Sequence, residues 1–252
     1  MEFSRNEITI SVCAPALVGD DGRPLAIVHG MERAFPGLRL RWTTSEKDDL
    51  IAVTHRDAWV ASDRTDGGFP FLCNDDDAHP VTIFGLENPN GLSAEGLAHF
   101  EVHASLPAQA AGLAAAAEVL AAVGEGARAY WGHATPSKAT VEISRQTTDP
   151  VRKPGVPPRG LPALRFPDSI LAPEIPHHLG WLNYWSAAAA RAVGFPDPSR
   201  DAELLTGARR TPSGGWVVQL TDAPLDLDNP AHLDALKRAY ERFPEIGGRS
   251  TP

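Results

Sequence analysis

Ile8-Thr9-Ile10-Ser11-Val12 alternates apolar and polar side chains, the period-two pattern of a strand with one buried face. A turn signal, Gly19-Asp20-Asp21-Gly22, follows, and Pro24 then stands where the first turn of a helix tolerates a missing N–H. Ile27, Met31, Ala34 and Phe35 recur at helical spacing until Pro36-Gly37 stops the element. Leu38, Leu40 and Trp42 alternate with Arg39 and Arg41, which predicts a second strand and hence a β-α-β opening.

Further along, shorter strands are expected at Ala58 to Ala61, Val81 to Phe84 and Phe100 to Ala104, separated by turns such as Asp66-Gly67-Gly68 and Asn88-Pro89-Asn90-Gly91. Gln109 to Val123 reads as a long alanine-rich helix with Leu113, Ala117, Leu120 and Val123 on one face. Its polar face is almost missing, so a sheet on one side and another element on the other should cover it. His178 to Val193 reads as a helix ending at Gly194, with Trp181, Tyr184 and Trp185 bracketing one face. A strand is expected at Trp216 to Leu220. A final helix should start at Asn229-Pro230 and bury Leu233, Leu236, Tyr240 and Phe243. The fold class is α+β: a mixed, mainly antiparallel sheet packed by three to four helices.

Residues 149–176 are dense in proline, including Pro150, Pro154, Pro157, Pro158, Pro162, Pro167 and Pro173, which favours extended backbone without donors. Leu161, Leu164, Phe166, Ile170 and Leu171 within it look like anchors onto a core. Residues 1–252 are therefore expected to form a single domain. The alternative is two units, 1–148 and 177–252, joined by the proline-rich segment.

The 252 residues are 42% hydrophobic and 22% charged, a composition that folds. A formal net charge of −9 argues against a nucleic-acid binder, which needs cations to displace phosphate counterions, and favours a basic partner. Neither a signal-peptide core nor a membrane span is evident. Cys13 and Cys73 stand apart in no metal or disulfide pattern, so a reducing cytoplasm is expected.

Chemistry-bearing motifs are scarce. Asn74-Asp75-Asp76-Asp77-Ala78-His79 lacks the glycine and distal glutamate of an EF-hand loop and reads as a solvated acidic loop. Asp75, Asp76 and Asp77, with Asp48 and Asp49, are the candidate partner-binding residues. His177 and His178 are neighbours without an HExxH frame and read as structural. There is no nucleophile elbow and no phosphate-binding loop, and Asp226 and Asp228 are explained by a helix N-terminus. Neither a metal nor a cofactor is expected, and no catalytic residue is assigned. The runner-up is an enzyme whose site assembles in space from His29, His55, His79, His103 or His133 and carboxylates.

The densest aromatic segment, Leu179-Gly180-Trp181-Leu182-Asn183-Tyr184-Trp185, is read as a structural block together with Trp131, and Asn183 should tie down neighbouring backbone. Ala129-Tyr130-Trp131-Gly132 after the long helix, the Leu179 to Tyr184 block, and a strand plus final helix occur in this order. In that order the chain resembles the immunity protein 52 family of bacterial polymorphic toxin systems and a related group of proteins of unknown function. The resemblance implies an α+β protein that binds and neutralises a cognate toxin, typically a restriction-endonuclease-like nuclease, in the cytoplasm of the producing cell. An acidic inhibitor suits such a partner, because a nuclease presents cations to phosphates.

Overall fold

The opening alternation forms β1 (Glu7–Pro15), whose Ile8, Ile10 and Val12 are fully buried. The structure, a computed structural model, describes residues 6–45, 47, 49–63, 67–88, 97–147, 156–170 and 172–249. Asp48, Asp66, the Pro89-Asn90-Gly91 turn, Pro150, Pro154 and Leu171 lie outside these. Next comes α1 (Arg23–Ala34), with Pro24 in its first turn. Then follow β2 (Trp42–Thr44), β3 (Leu50–Ala52), α2 (Arg56–Ser62), β4 (Phe69–Cys73), β5 (Thr82–Asn88), β6 (His99–Pro107) and α3 (Ala110–Ala127). The second half holds β7 (Trp131–Pro136), α4 (Ser137–Ser144), β8 (Leu182–Trp185), α5 (Ala187–Ala192), α6 (Ala202–Thr206), β9 (Ala208–Arg210), β10 (Trp216–Gln219) and α7 (Pro230–Arg242).

The ten strands make one sheet in the order β3-β2-β4-β5-β6-β1-β7-β8-β10-β9. Each named pairing is antiparallel, so the sheet is not mixed. The β-α-β opening holds: β1 and β2 lie four antiparallel steps apart and so run in the same direction. Strands from both sides of the proline-rich segment meet where β7 pairs with β8, His133 opposite Asn183.

Three local expectations fail for identifiable reasons. Leu38 and Leu40 are buried but lie before β2, and the Leu40 amide bonds the Glu32 carboxylate of α1 at 2.8 Å instead of a neighbouring strand. Ala58 to Ala61 is helical in α2, where the Trp59 amide bonds the His55 carbonyl; a four-residue apolar run carries no period to decide the matter. Leu182 to Trp185 is a strand rather than the middle of a helix. All four residues are buried, which erases alternation, and their backbone bonds both β7 and β10. The helix there is short, and Ser186 caps it by accepting from the Ala189 amide. Unforeseen β4 contains Pro70, which is accommodated by a register shift between Phe69 and Leu72.

Helix α3 lies across β1, β6, β7 and β8, and α1 packs on its other side. The close approach demands glycine. A Cβ on Gly124 would stand 2.9 Å from the Tyr184 ring of β8, and one on Gly30 would meet the Ala122 carbonyl at 3.0 Å. Contrary to the sequence reading, α3 is long and apolar enough to cross a membrane by length and composition; half of it is buried inside the protein.

The opposite sheet face is covered on the β7–β8 side by residues 156–170 and 172–181, here called the strap. Leu161, Leu164 and Ile170 anchor it as expected, whereas Phe166 is exposed. Arg159 clamps it, donating to Glu142 of α4, to Asp228 at 2.6 Å and to the Leu227 carbonyl at 2.8 Å. Asp228, which also pairs with Lys138 and stands just before α7, therefore also holds the strap.

Candidate functional site

Because side chains alternate along strands, the strap-side face of the sheet carries Ser11 and Cys13 of β1, His99, Glu101 and His103 of β6, and Trp131 and His133 of β7. Ser11 pairs with His103 on one side and His133 on the other, while Cys13 lies between Glu101 and Trp131. Glu101 accepts from His99 Nε2 at 2.8 Å and from His103 Nε2 at 3.2 Å. Burial alone would raise its carboxyl, but the hydrogen bonds from His103 and His99 outweigh that and hold it far below the usual carboxylate range.

From the strap, His177 packs against Trp131 with ring centres 4.5 Å apart, and His178 against His133 at 4.2 Å. Burial, helped by the neighbouring imidazoles, pushes His133 well down; burial and His178 push His177 to about 3, and burial pushes His178 to about 4. All three rings are uncharged at neutral pH. Burial and the Glu101 charge raise the Cys13 thiol, so it is no thiolate nucleophile.

A cleft of about 200 Å³ opens at one end of this row, between the start of β6 and the strap, with Cys13, His99, Tyr130 and His177 among its walls. Two buried imidazole nitrogens, His99 Nδ1 and His133 Nδ1, have no hydrogen-bond partner among the described residues.

Sequence reasoning named His103 and His133, which the sheet does bring together. The others scatter: His29 bonds Asp57 at 3.1 Å, His79 bonds Asp76, and His55 precedes α2. It missed His99 and Glu101, although His99-x-Glu101-x-His103 has the period-two spacing that puts all three on one face of a strand. Among the described residues no group of three or more His, Cys, Asp or Glu could hold a metal ion.

Asp75, Asp76 and Asp77 are exposed in the β4–β5 turn. Asp76 organises that turn, accepting from the Ala78 and His79 amides at 3.0 Å each. A cleft beside it places Asp75 and Asp76 along with Arg39 and Arg41, which offsets part of their charge. Asp49 is exposed in the β2–β3 hairpin, at the other end of these strands, since Trp42 pairs with Cys73 and Thr44 with Leu50.

The aromatic block is core. Trp131 donates to the Pro173 carbonyl at 3.0 Å, Trp181 to the Thr221 carbonyl at 2.9 Å, and Tyr184 to Glu125 at 2.9 Å. Asn183 clasps Gly180, accepting from its N–H at 2.9 Å and donating to its carbonyl at 3.0 Å. Trp185 meets Phe195 and Phe243 edge-on. Tyr184 faces α3 and Trp185 the strap side, so the rings do not share a face as a helix would have required.

These features define an α+β protein built on one antiparallel sheet, with α1 and α3 on one face and a histidine-lined surface, covered by the strap and approached by α7, on the other. The chain belongs to the family described as a domain of unknown function, DUF5953, whose model matches residues 19–251. No curated protein matches it. Its fold is similar to that of a Pseudomonas aeruginosa T6SS protein, with a TM-score of 0.53 at 14% identity, covering 94% of this chain and 77% of that one.

Proposed function

We propose that this chain is an immunity protein that binds and neutralises a cognate protein toxin in the cytoplasm of the producing cell, by binding rather than catalysis. The observation that carries the reading is the likeness of fold, over nearly the whole chain, to a T6SS protein. The landmarks that resemble those of immunity protein 52 support it from the sequence: Trp131, Trp181, Asn183 and Tyr184 are buried, so the resemblance is one of scaffold. A net charge of −9 suits a cationic partner such as a restriction-endonuclease-like nuclease, with Asp75 and Asp77 as outward acidic groups on the β4–β5 turn. Co-expression with its cognate toxin should rescue growth. Cells that die equally with and without this chain would refute the proposal.

One observation favours an enzyme as the second reading. Glu101 orients His99 beside a cleft, an arrangement that in other settings prepares a general base. The two readings separate on stoichiometry: a binder protects only at about one equivalent or more, whereas a catalyst protects at a small fraction of one.

A further inference from the structure

We infer that β3, at one edge of the sheet, is a self-association site: two copies of this chain pair their β3 strands antiparallel about a twofold axis at Ile51, joining their sheets edge to edge. The inference goes beyond the immunity reading and does not depend on it.

The backbone of β3 is half free. Its neighbour in the sheet is β2, and at the far edge β9 likewise has β10 alone. The Val53 amide bonds the Arg41 carbonyl at 2.8 Å and the Ser45 amide bonds the Asp49 carbonyl at 2.9 Å, so Asp49, Ile51 and Val53 turn their backbone groups towards β2. Leu50 and Ala52 therefore turn theirs outward, and these groups have no partner among the described residues. The side chains leave the edge undefended. Leu50 is 41% and Ile51 47% exposed, and Ala52 is exposed as well. At the far edge β9 carries Arg209 and Arg210, the kind of charge that keeps foreign strands away. An apolar edge without such a guard is a template for another strand.

A second copy fits this template by its own symmetry. Antiparallel pairing about Ile51 sets Leu50 opposite Ala52 of the second copy, and the outward residues of the two chains then satisfy one another's N–H and C=O groups. A large side chain meets a small one on one face, and Ile51 meets its own copy on the other. Charge agrees with the same register. Val53 falls opposite Asp49 of the second copy, and Arg41 lies on the other side of Val53, on the same face. Arg41 is exposed and has no ion pair among the described residues. It stands two strand spacings from that Asp49, ~10 Å between backbones, which an arginine side chain spans. The row Arg41-Val53-Asp49 occurs at both ends of the pairing, while the two Asp49 carboxylates are kept apart. A cationic toxin laid on this edge would satisfy Asp49 but meet Arg41, whereas a second copy satisfies both. The interface is small, below the ~1,200 Å² of a standard one, so association is weak and depends on concentration.

The test is sedimentation velocity of the full chain from low micromolar to millimolar concentration. The apparent mass should rise from one chain towards two, and the Leu50 and Ala52 amides should gain protection from hydrogen exchange in step with it. Ala52→Pro removes an outward donor and no bond within the sheet, so it should weaken self-association at least about tenfold while the protein still melts cooperatively. Should that variant not fold, Ile51→Lys, which sets like charges opposite each other, serves the same purpose. Asp49→Arg alone and Arg41→Asp alone should each weaken self-association about threefold to tenfold. An equimolar mixture of the two should restore it, because both ends then pair an arginine with an aspartate. A mass of one chain at every concentration, or self-association undiminished in a folded edge variant, would overturn the site. Mixed charge variants that associate no better than either alone would overturn the pairing about Ile51. A monomeric wild type whose protection of cells is lost with Ala52→Pro would assign the edge to the toxin and overturn self-pairing.

Discussion

Three imidazoles between β7 and the strap, His133, His177 and His178, are neutral in the folded protein because burial opposes their charged form. In the unfolded chain each takes up its proton near pH 6.5, so below that pH the unfolded state binds more protons and stability falls. The contribution is fully present above about 6.5 and declines towards the folded values of about 4 for His178 and about 3 for His177. Urea midpoints should hold level from pH 7.5 to about 6.5 and fall from there to 4.5, and His178→Gln should flatten the fall; a midpoint constant across the whole range would contradict the burial of these rings. Trp181 sits in the core with its indole N–H on the Thr221 carbonyl, so Trp181→Ala should cost roughly 3–5 kcal/mol by urea denaturation. An unchanged melt with lost partner binding would instead make it an interface residue. At this scale the sequence told part of the story. Asn183 was legible as a residue that ties down backbone, and the His99-x-Glu101-x-His103 spacing was there to be read. That Cys13, Trp131 and His177 converge on the same row was not, because the register of β1 with β6 and β7 brings them together.

The glycines of α3 are set by what that helix touches. Gly124 faces the Tyr184 ring so closely that a Cβ would stand at 2.9 Å, and Gly124→Ala must push helix from sheet or turn the ring away from Glu125. A loss of about 1–3 kcal/mol is expected from such overpacking, read as a lowered urea midpoint; Gly22→Ala, whose Cβ would meet nothing within 4 Å, is the matched control. Elements with a clean period were legible in the sequence. β1, α1, α3 and α7 form where alternation or helical spacing put them. Those without one were not. Leu182 to Trp185 is buried on both faces and so alternates with nothing, and its strand character comes from hydrogen bonds to β7 and β10, elements 46 or more and 31 or more residues away in the chain. Ala58 to Ala61 failed for the complementary reason, one buried residue, Val60, being too few to show a helical period.

Across the whole molecule, charge and shape are separated: the acidic β4–β5 turn and the strap-side cleft belong to different parts of the sheet. Asp76 holds the turn together, so the variants that test steering are Asp75→Asn and Asp77→Asn. Together they should slow association with a cationic partner and flatten its salt dependence, with little change in dissociation. Stopped-flow association at two ionic strengths checks this, and an unchanged rate at low salt would remove the turn from the encounter. The acidic balance of the chain was plain in its composition, but the partial neutralisation of the turn by Arg39 and Arg41, and the distance between the turn and Asp49, needed the sheet order. The most direct test of the central claim is a titration of this protein, purified and intact, into its purified cognate toxin, with residual toxin activity as the readout. Activity should fall linearly and vanish near a fixed, stoichiometric ratio; activity that persists in excess protein would contradict neutralisation, and loss at a small fraction of an equivalent would contradict binding as its cause.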